Sequence, residues 1–176
     1  MDSNALKAIV LLRHQPLLQE VGNISEDLCT KIIDYAKTHS GDLKKSIENR
    51  ASKSTNKLDQ ALKYDITEFY DQVYIKDDAI LAQLNKESGI DIGAVRVGVL
   101  QPNSHLDWHI DYETSLRVHI DLSVDADFKF RVAGEEKVLK KKRLTVYKLN
   151  ASHYHMVENP TNEVRYALIG NFVDEI

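Results

Sequence analysis

The spacing of apolar residues changes character near residue 93, and the change divides the chain into two halves. Upstream, Leu28, Ile32, Ile33 and Ala36 recur at helical intervals. They follow Ser25, whose hydroxyl can accept from the unpaired N–H groups of a helix start. A helix is therefore predicted from about Glu26 to His39, with Gly41 suited to its end. Ile66, Phe69, Tyr70 and Val73 predict a second helix over 65–74. Asp77 can cap a third, with Ile80, Leu81 and Leu84 on its apolar face and Gly89 near its end. Ahead of these, residues 8–21 read as an apolar strand, a turn at Pro16 and a further short extended piece.

Downstream the period becomes two. Strands are predicted at 94–100, 105–111, 116–122, 127–132, 136–140, 143–149, 153–158 and 164–173. Pro102-Asn103, Gly134, Asn150 and Asn159-Pro160 supply turns between them. Eight short strands without intervening helices point to a jelly roll or barrel and away from a doubly wound sheet. The expected class is α+β, with one domain spanning residues 1–176. Residues 1–91 would give mainly helical support against an outer face, and 92–176 the jelly-roll core. Residues 42–62 are polar and aperiodic, which suits either a lid or a disordered loop.

Composition narrows the function classes. A formal net charge of -4 argues against a general nucleic-acid binder, which would carry a basic face. The apolar run at residues 8–12 is interrupted by Arg13 and is too short for a signal peptide or a membrane span. A cytoplasmic protein with no membrane partner is the expectation. Cys29 is the sole cysteine, so neither an internal disulfide nor a Cys-rich zinc site is available. It is expected to act as a small apolar residue within a helix. The run Lys140-Lys141-Lys142-Arg143 reads as a solvated hairpin edge, guarded by charge against aggregation.

Five of the seven histidines fall between positions 105 and 155, and their grouping carries the candidate chemistry. Strand residues two apart share a face, so His109 and Asp111 could hold one ion from adjacent pleats. With a histidine from a distant strand they would form two imidazoles and one carboxylate. That arrangement leaves open metal positions and marks non-haem Fe(II) oxygenases. His105-Leu106-Asp107 has the same spacing and strand parity, and His153 competes with His155 for the third place. Spacing alone does not choose. Arg117 and His119 share a parity, and their alternation with Val118 and Ile120 favours an inward polar face.

Leu100-Gln101-Pro102, His109-Ile110-Asp111, Arg117-Val118-His119, His155, Asn159 and Arg165 together resemble the aspartyl/asparaginyl β-hydroxylase-like family, over roughly residues 92–173. That family belongs to the 2-oxoglutarate- and Fe(II)-dependent dioxygenases, which share a double-stranded β-helix, a form of jelly roll. Hydroxylases of free proline are similar in this respect. The family pattern places a proline-containing turn seven residues before the first metal histidine, which selects His109. It places an arginine about ten residues after the second, which selects His155, and an asparagine four residues after it, matched by Asn159. One departure is that some members lack a carboxylate at the position of Asp111, whereas this chain has one.

The resemblance implies that His109, Asp111 and His155 hold Fe(II). It implies that 2-oxoglutarate chelates the metal and that its far carboxylate meets Arg165, whose guanidinium fork pairs bidentately with carboxylates. O2 would take the remaining site, and ascorbate is a candidate stimulant. Arg117 and His119 would lie near cosubstrate or substrate, and Tyr147 could donate a hydrogen bond to the cosubstrate. The expected reaction hydroxylates an amino acid, free or within a peptide, as 2-oxoglutarate is decarboxylated to succinate. The expected partner is that small-molecule or peptide substrate. Two other classes remain in view: a cupin-like metalloenzyme working without 2-oxoglutarate, and a non-enzymatic jelly-roll binding module. The first has no need of Arg165, and the second has no need of three ligand types. A zinc hydrolase is disfavoured, because no HExxH helix is present.

Overall fold

The computed structural model describes residues 14–41, 70–110 and 116–173. Residues 8–13 of the segment 8–21 read as extended, the loop at 42–62, residues 65–69 of the second predicted helix and the ligand candidate Asp111 lie outside these residues. Ten strands and two helices follow in order: β1 (Leu18–Asn23), α1 (Glu26–Thr38), β2 (Tyr70–Tyr74), α2 (Asp78–Ser88), β3 (Ile92–Leu100), β4 (Ser104–His109), β5 (Leu116–Asp121), β6 (Phe128–Val132), β7 (Glu135–Leu139), β8 (Thr145–Asn150), β9 (Tyr154–Asn159) and β10 (Arg165–Phe172). They form a six-stranded sheet ordered β1-β8-β5-β10-β3-β2 and a four-stranded sheet ordered β4-β9-β6-β7. Every pairing is antiparallel. The chain is an α+β protein built on a double-stranded β-helix, with the helices buttressing the larger sheet.

Both helices begin as their caps predict. Ser25 accepts from the Leu28 N–H, and Asp77 accepts from the N–H groups of Ala79 and Ile80. Gly89 closes α2 with φ 71°, the left-handed conformation that suits glycine at a helix end. Leu28, Ile32 and Ala36 of α1 and Leu84 of α2 are fully buried against Val73, Val95, Val97, Val99, Val118, Ile120, Val146 and Leu168 of the large sheet. Each large side chain of this kind contributes roughly 1.5–3 kcal/mol on leaving water. Cys29 is buried in this layer, donating its thiol to the Leu122 carbonyl at 3.2 Å.

Strand alternation sends the neighbouring side chains the other way. Gln72, Arg96, Arg117, His119, Leu149 and Ile169 of the large sheet all line a cleft that faces the small sheet. One sheet therefore has an apolar face under helices and a polar face over the cleft. A second core of Phe128, Phe130 and Leu149 fills the space between the sheets. The exposed edge strand β7 carries Glu135, Glu136 and Lys137, charges that discourage strand addition.

Two expectations are corrected. Residues 70–74 are a strand paired with β3, not helix. Tyr70 and Val73 lie three apart and mimic a helical step. Instead Val73 faces the core, while Tyr70 and Gln72 face the cleft. The basic run does not form a uniform solvated edge either. Lys140 is exposed beside Asp127, Arg143 is tied to Glu26 of α1, and the Lys141 side chain is wholly buried.

Asn159, also fully buried, fastens the small sheet to the end of β3. Its Nδ2 lies within 3.1 Å of the carbonyl oxygens of Leu100, Gln101 and Glu163. Its Oδ1 accepts from the Thr161 N–H and hydroxyl. Asn159→Ala would orphan these buried groups, a loss of about 3 kcal/mol. Urea unfolding should show a lower midpoint with unchanged slope, and an unchanged midpoint would contradict this role.

Candidate active site

The cleft between the sheets has a volume of about 460 Å3. A larger, shallower groove of about 700 Å3 lies by Gln19, Asn85 and Phe172, away from the histidine cluster. Within the cleft, His109 at the end of β4 and His155 on β9 are direct Cα partners. Their ring centroids are 4.3 Å apart, with planes inclined at 55°.

A β-bulge explains why His109, and not His105, reaches the cleft. Leu106 pairs with Val157 and His109 with His155, so three steps on β4 match two on β9. The extra residue reverses parity. Leu106 and His109 both line the cleft, whereas His105 is exposed opposite Glu158. The equal parity of His105 and His109, expected for a regular strand, does not hold through this bulge.

Hydrogen bonds assign the tautomers of two buried histidines. His155 Nδ1 lies 2.9 Å from the His153 carbonyl oxygen, which can only accept. Nδ1 therefore carries a proton, and in the neutral ring Nε2 has the lone pair a metal requires. His153 supplies this backbone carbonyl, and its side chain is not among the described residues lining the cleft. His119 has the opposite arrangement. The Lys141 ammonium lies 3.2 Å from its Nδ1, and an ammonium can only donate. Nδ1 accepts, and Nε2–H is left as a donor on a side chain that lines the cleft. Burial, with the Lys141 charge beside it, pushes the His119 pKa well below 6.5, so the ring is neutral at pH 7. Phe128 stands between the two rings, at 5.2 Å from His119 and 5.8 Å from His155.

Beneath this floor lies a buried ion cluster. Asp121 Oδ1 accepts from Arg165 Nη2 at 2.7 Å, and Asp121 Oδ2 lies 2.6 Å from Lys141 Nζ. All three side chains are at most 1% exposed. Burial alone would raise the Asp121 pKa, but Lys141 and Arg165 together outweigh it and hold the carboxyl at about 2. Burial lowers Lys141 to about 8 despite Asp121. Arg165 also donates to the Glu158 carbonyl at 2.9 Å, while its buried Nε has no hydrogen-bond partner among the described residues. It lines a small annex of about 30 Å3, shared with Tyr70, Gly98, His119 and Ile169. Tyr70 lies over Gly98, where an added Cβ would stand 3.5 Å from the phenol. Arg117 lines the cleft and donates to the Asn171 side-chain carbonyl. The Tyr147 hydroxyl accepts the Lys142 N–H at 3.0 Å, and Tyr147 is not among the described lining residues.

The donor set suits a divalent cation. Two histidines meet across one strand pair, and one of them presents its lone-pair nitrogen through a fixed tautomer. Among the described residues no third His, Cys, Asp or Glu completes a metal-binding group, and Asp111 lies outside them. Nor is any helix among the described residues long and apolar enough to cross a membrane. Sequence reasoning missed Arg96, Gln72 and Lys141 as residues at or behind the cleft. For Arg96 the available signal was a lone charge within the apolar run of β3.

Comparison with known proteins gives the chain a family. The family described as aspartyl/asparaginyl beta-hydroxylase matches residues 76–175, more than half of the chain. No curated protein sequence matches it. Among solved structures, an oxidoreductase of the 2OG-Fe(II) oxygenase family from Burkholderia pseudomallei is 18% identical. It aligns with 54% of this chain and 52% of its own, with a TM-score of 0.40. The chain thus spans about half the length of that protein. A cupin domain from Bordetella pertussis Tohama I is 12% identical over 59% of this chain and 93% of its own, with a TM-score of 0.42. An oxalate decarboxylase from Bacillus subtilis, solved as a single-site variant, is 15% identical over 61% and 27%, with a TM-score of 0.45.

The buried cluster makes the protein sensitive to acid. As pH falls, the unfolded chain protonates its equivalent of Asp121 near the ordinary value of 3.8, while the folded chain resists until about 2. Stability present above about pH 4 is therefore lost as pH falls towards 2, by about 2 kcal/mol from this group. His119 adds to the loss below pH 6.5, since only the unfolded chain then takes up its proton. A 13C titration of the Asp121 carboxyl should give a midpoint near 2. A midpoint near the ordinary value would show that the cations do not hold it.

Proposed function

Because the chain belongs to the aspartyl/asparaginyl β-hydroxylase family, we propose that it is a 2-oxoglutarate- and Fe(II)-dependent dioxygenase that hydroxylates an amino acid, free or within a peptide. The observation that carries this reading is the inward pairing of His109 with His155 in a cleft whose annex ends at Arg165. With iron and 2-oxoglutarate bound, the centre would couple oxidative decarboxylation to succinate with insertion of oxygen into a substrate C–H bond.

The chain's own part is binding, orientation and exclusion. His109, His155 and Asp111 would hold the metal, with His155 Nε2 aimed by the Nδ1 bond to the His153 carbonyl. Arg165 is fixed by Asp121 and the Glu158 carbonyl, and its Nε–H, with no partner among the described residues, would be available with a terminal N–H to the far carboxylate of 2-oxoglutarate. The neutral His119 would donate Nε2–H to a carboxylate oxygen from the same side. Arg117, steadied by Asn171, adds a further donor to the cleft wall. Leu106, Val157, Ile169 and Phe128 line the interior and keep water from the reacting centre. Tyr147 would act at one remove, by bracing the backbone after Lys141 through Lys142.

The test is succinate formation from 2-oxoglutarate, with Fe(II), ascorbate, and a panel of amino acids and short peptides. His155→Ala should abolish substrate-stimulated turnover. Arg165→Lys keeps a cation beside Asp121 but loses the fork, and should raise the 2-oxoglutarate KM at least about tenfold. Turnover indifferent to both changes would remove this assignment. Turnover that needs the metal but not 2-oxoglutarate would favour a cupin-like reaction.

A further inference from the structure

The inner face of the large sheet presents an arginine that none of the roles above employs. Arg96 lies in the middle of β3, in register with Ile169 of β10, which in turn pairs with His119 of β5. All three line the cleft, so Arg96 and His119 occupy one row of the sheet, two strands or roughly 10 Å apart. The Arg96 Nε is buried and lacks a hydrogen-bond partner among the described residues. A guanidinium stays charged at any working pH, and a buried N–H of this kind is unfavourable unless a ligand accepts from it.

The charge balance of the cleft points the same way. The described lining residues include two arginines, Arg96 and Arg117, and no Asp or Glu. Asp121, behind the floor, already lies between Lys141 and Arg165, a cluster with one net positive charge. Under the dioxygenase reading, the two carboxylates of 2-oxoglutarate are taken up by the metal and by Arg165. Arg96 then faces the cleft with a buried N–H for which neither the described residues nor the cosubstrate supply an acceptor.

We infer that Arg96 binds a carboxylate of the substrate, donating to it edge-on from Nε–H and a terminal N–H. The substrate class narrows accordingly to molecules that bring a carboxylate into the cleft: the α-carboxylate of a free or C-terminal amino acid, or the side chain of an acidic residue. A neutral residue inside a peptide could offer a carbonyl to the Arg96 Nε–H but would leave the guanidinium charge without a counter-ion in the cleft. This inference rests on the proposed function for the placement of 2-oxoglutarate, and on the orphaned donor and the absence of Asp and Glu from the described lining residues for Arg96 itself.

The experiment uses the full chain with Mn(II) in place of Fe(II), so that binding is read without turnover. Titration calorimetry first measures 2-oxoglutarate. It then measures free L-amino acids, their primary amides, and N-acetyl-amide forms of Asp, Glu, Asn and Gln. At least one acid should bind the wild type at least about tenfold more tightly than its amide, as expected for a charge-assisted paired contact. Free acids or the acetylated Asp and Glu will show which carboxylate is read. Arg96→Gln should abolish the acid-over-amide difference while leaving 2-oxoglutarate affinity within about twofold, and Arg96→Lys should restore part of the difference. Equal binding of acid and amide, acid binding unchanged in Arg96→Gln, or no acid bound by the wild type would each overturn the inference. Failure of the wild type to bind 2-oxoglutarate with metal would instead remove the dioxygenase reading. The acid-over-amide difference, measured without cosubstrate, would then still decide the role of Arg96.

Discussion

A single buried carboxylate organises the deep end of the cleft. Asp121 is surrounded by protein, and its desolvation would be prohibitive without the two cations that approach its oxygens from different strands and turns. Each cation has a second task. Arg165 is oriented between Asp121 and the Glu158 carbonyl. Lys141 reaches past Asp121 to His119 and thereby decides which ring nitrogen carries the proton. Charge burial, usually a liability, here converts one carboxylate into control over two residues of the site.

The opposite wall is built by backbone geometry. An extra residue in β4 turns the chain so that His109 meets His155, and a carbonyl two residues before His155 fixes the ring. The two buried histidines consequently face the cleft in complementary states, His155 with a lone pair and His119 with an N–H. A lone-pair nitrogen and a hydrogen-bond donor are distinguished by their neighbours, with no difference in residue type.

Much of this was legible in the order of residues. The caps at Ser25 and Asp77, the eight strands after residue 93, the inward face of Arg117 and His119 and the burial of Cys29 all follow from local patterns that tertiary structure reinforces. What local patterns could not carry was long-range. Tyr70 and Val73 look helical until β3 offers its edge. The parity of His105 and His109 looks equal until β9 sets the bulge. Lys141 looks like one lysine among three until Asp121, twenty residues earlier, is found beneath it. Arg165 was singled out by resemblance, but its bond to Asp121 joins two strands with β10 and β5 as neighbours, a pairing no spacing rule foretells.

The two faces of the six-stranded sheet also bear on how such a protein can change. Val95, Val97, Val99, Val118 and Ile120 are committed to the helices, while Arg96, Gly98, Arg117 and His119 alternate with them and look into the cleft or its annex. Stability and selectivity are thus written on alternate positions of the same strands. Substitutions on the cleft side can accumulate without disturbing the packed layer, so lineages sharing this scaffold are free to diverge in what they accept while keeping how they fold.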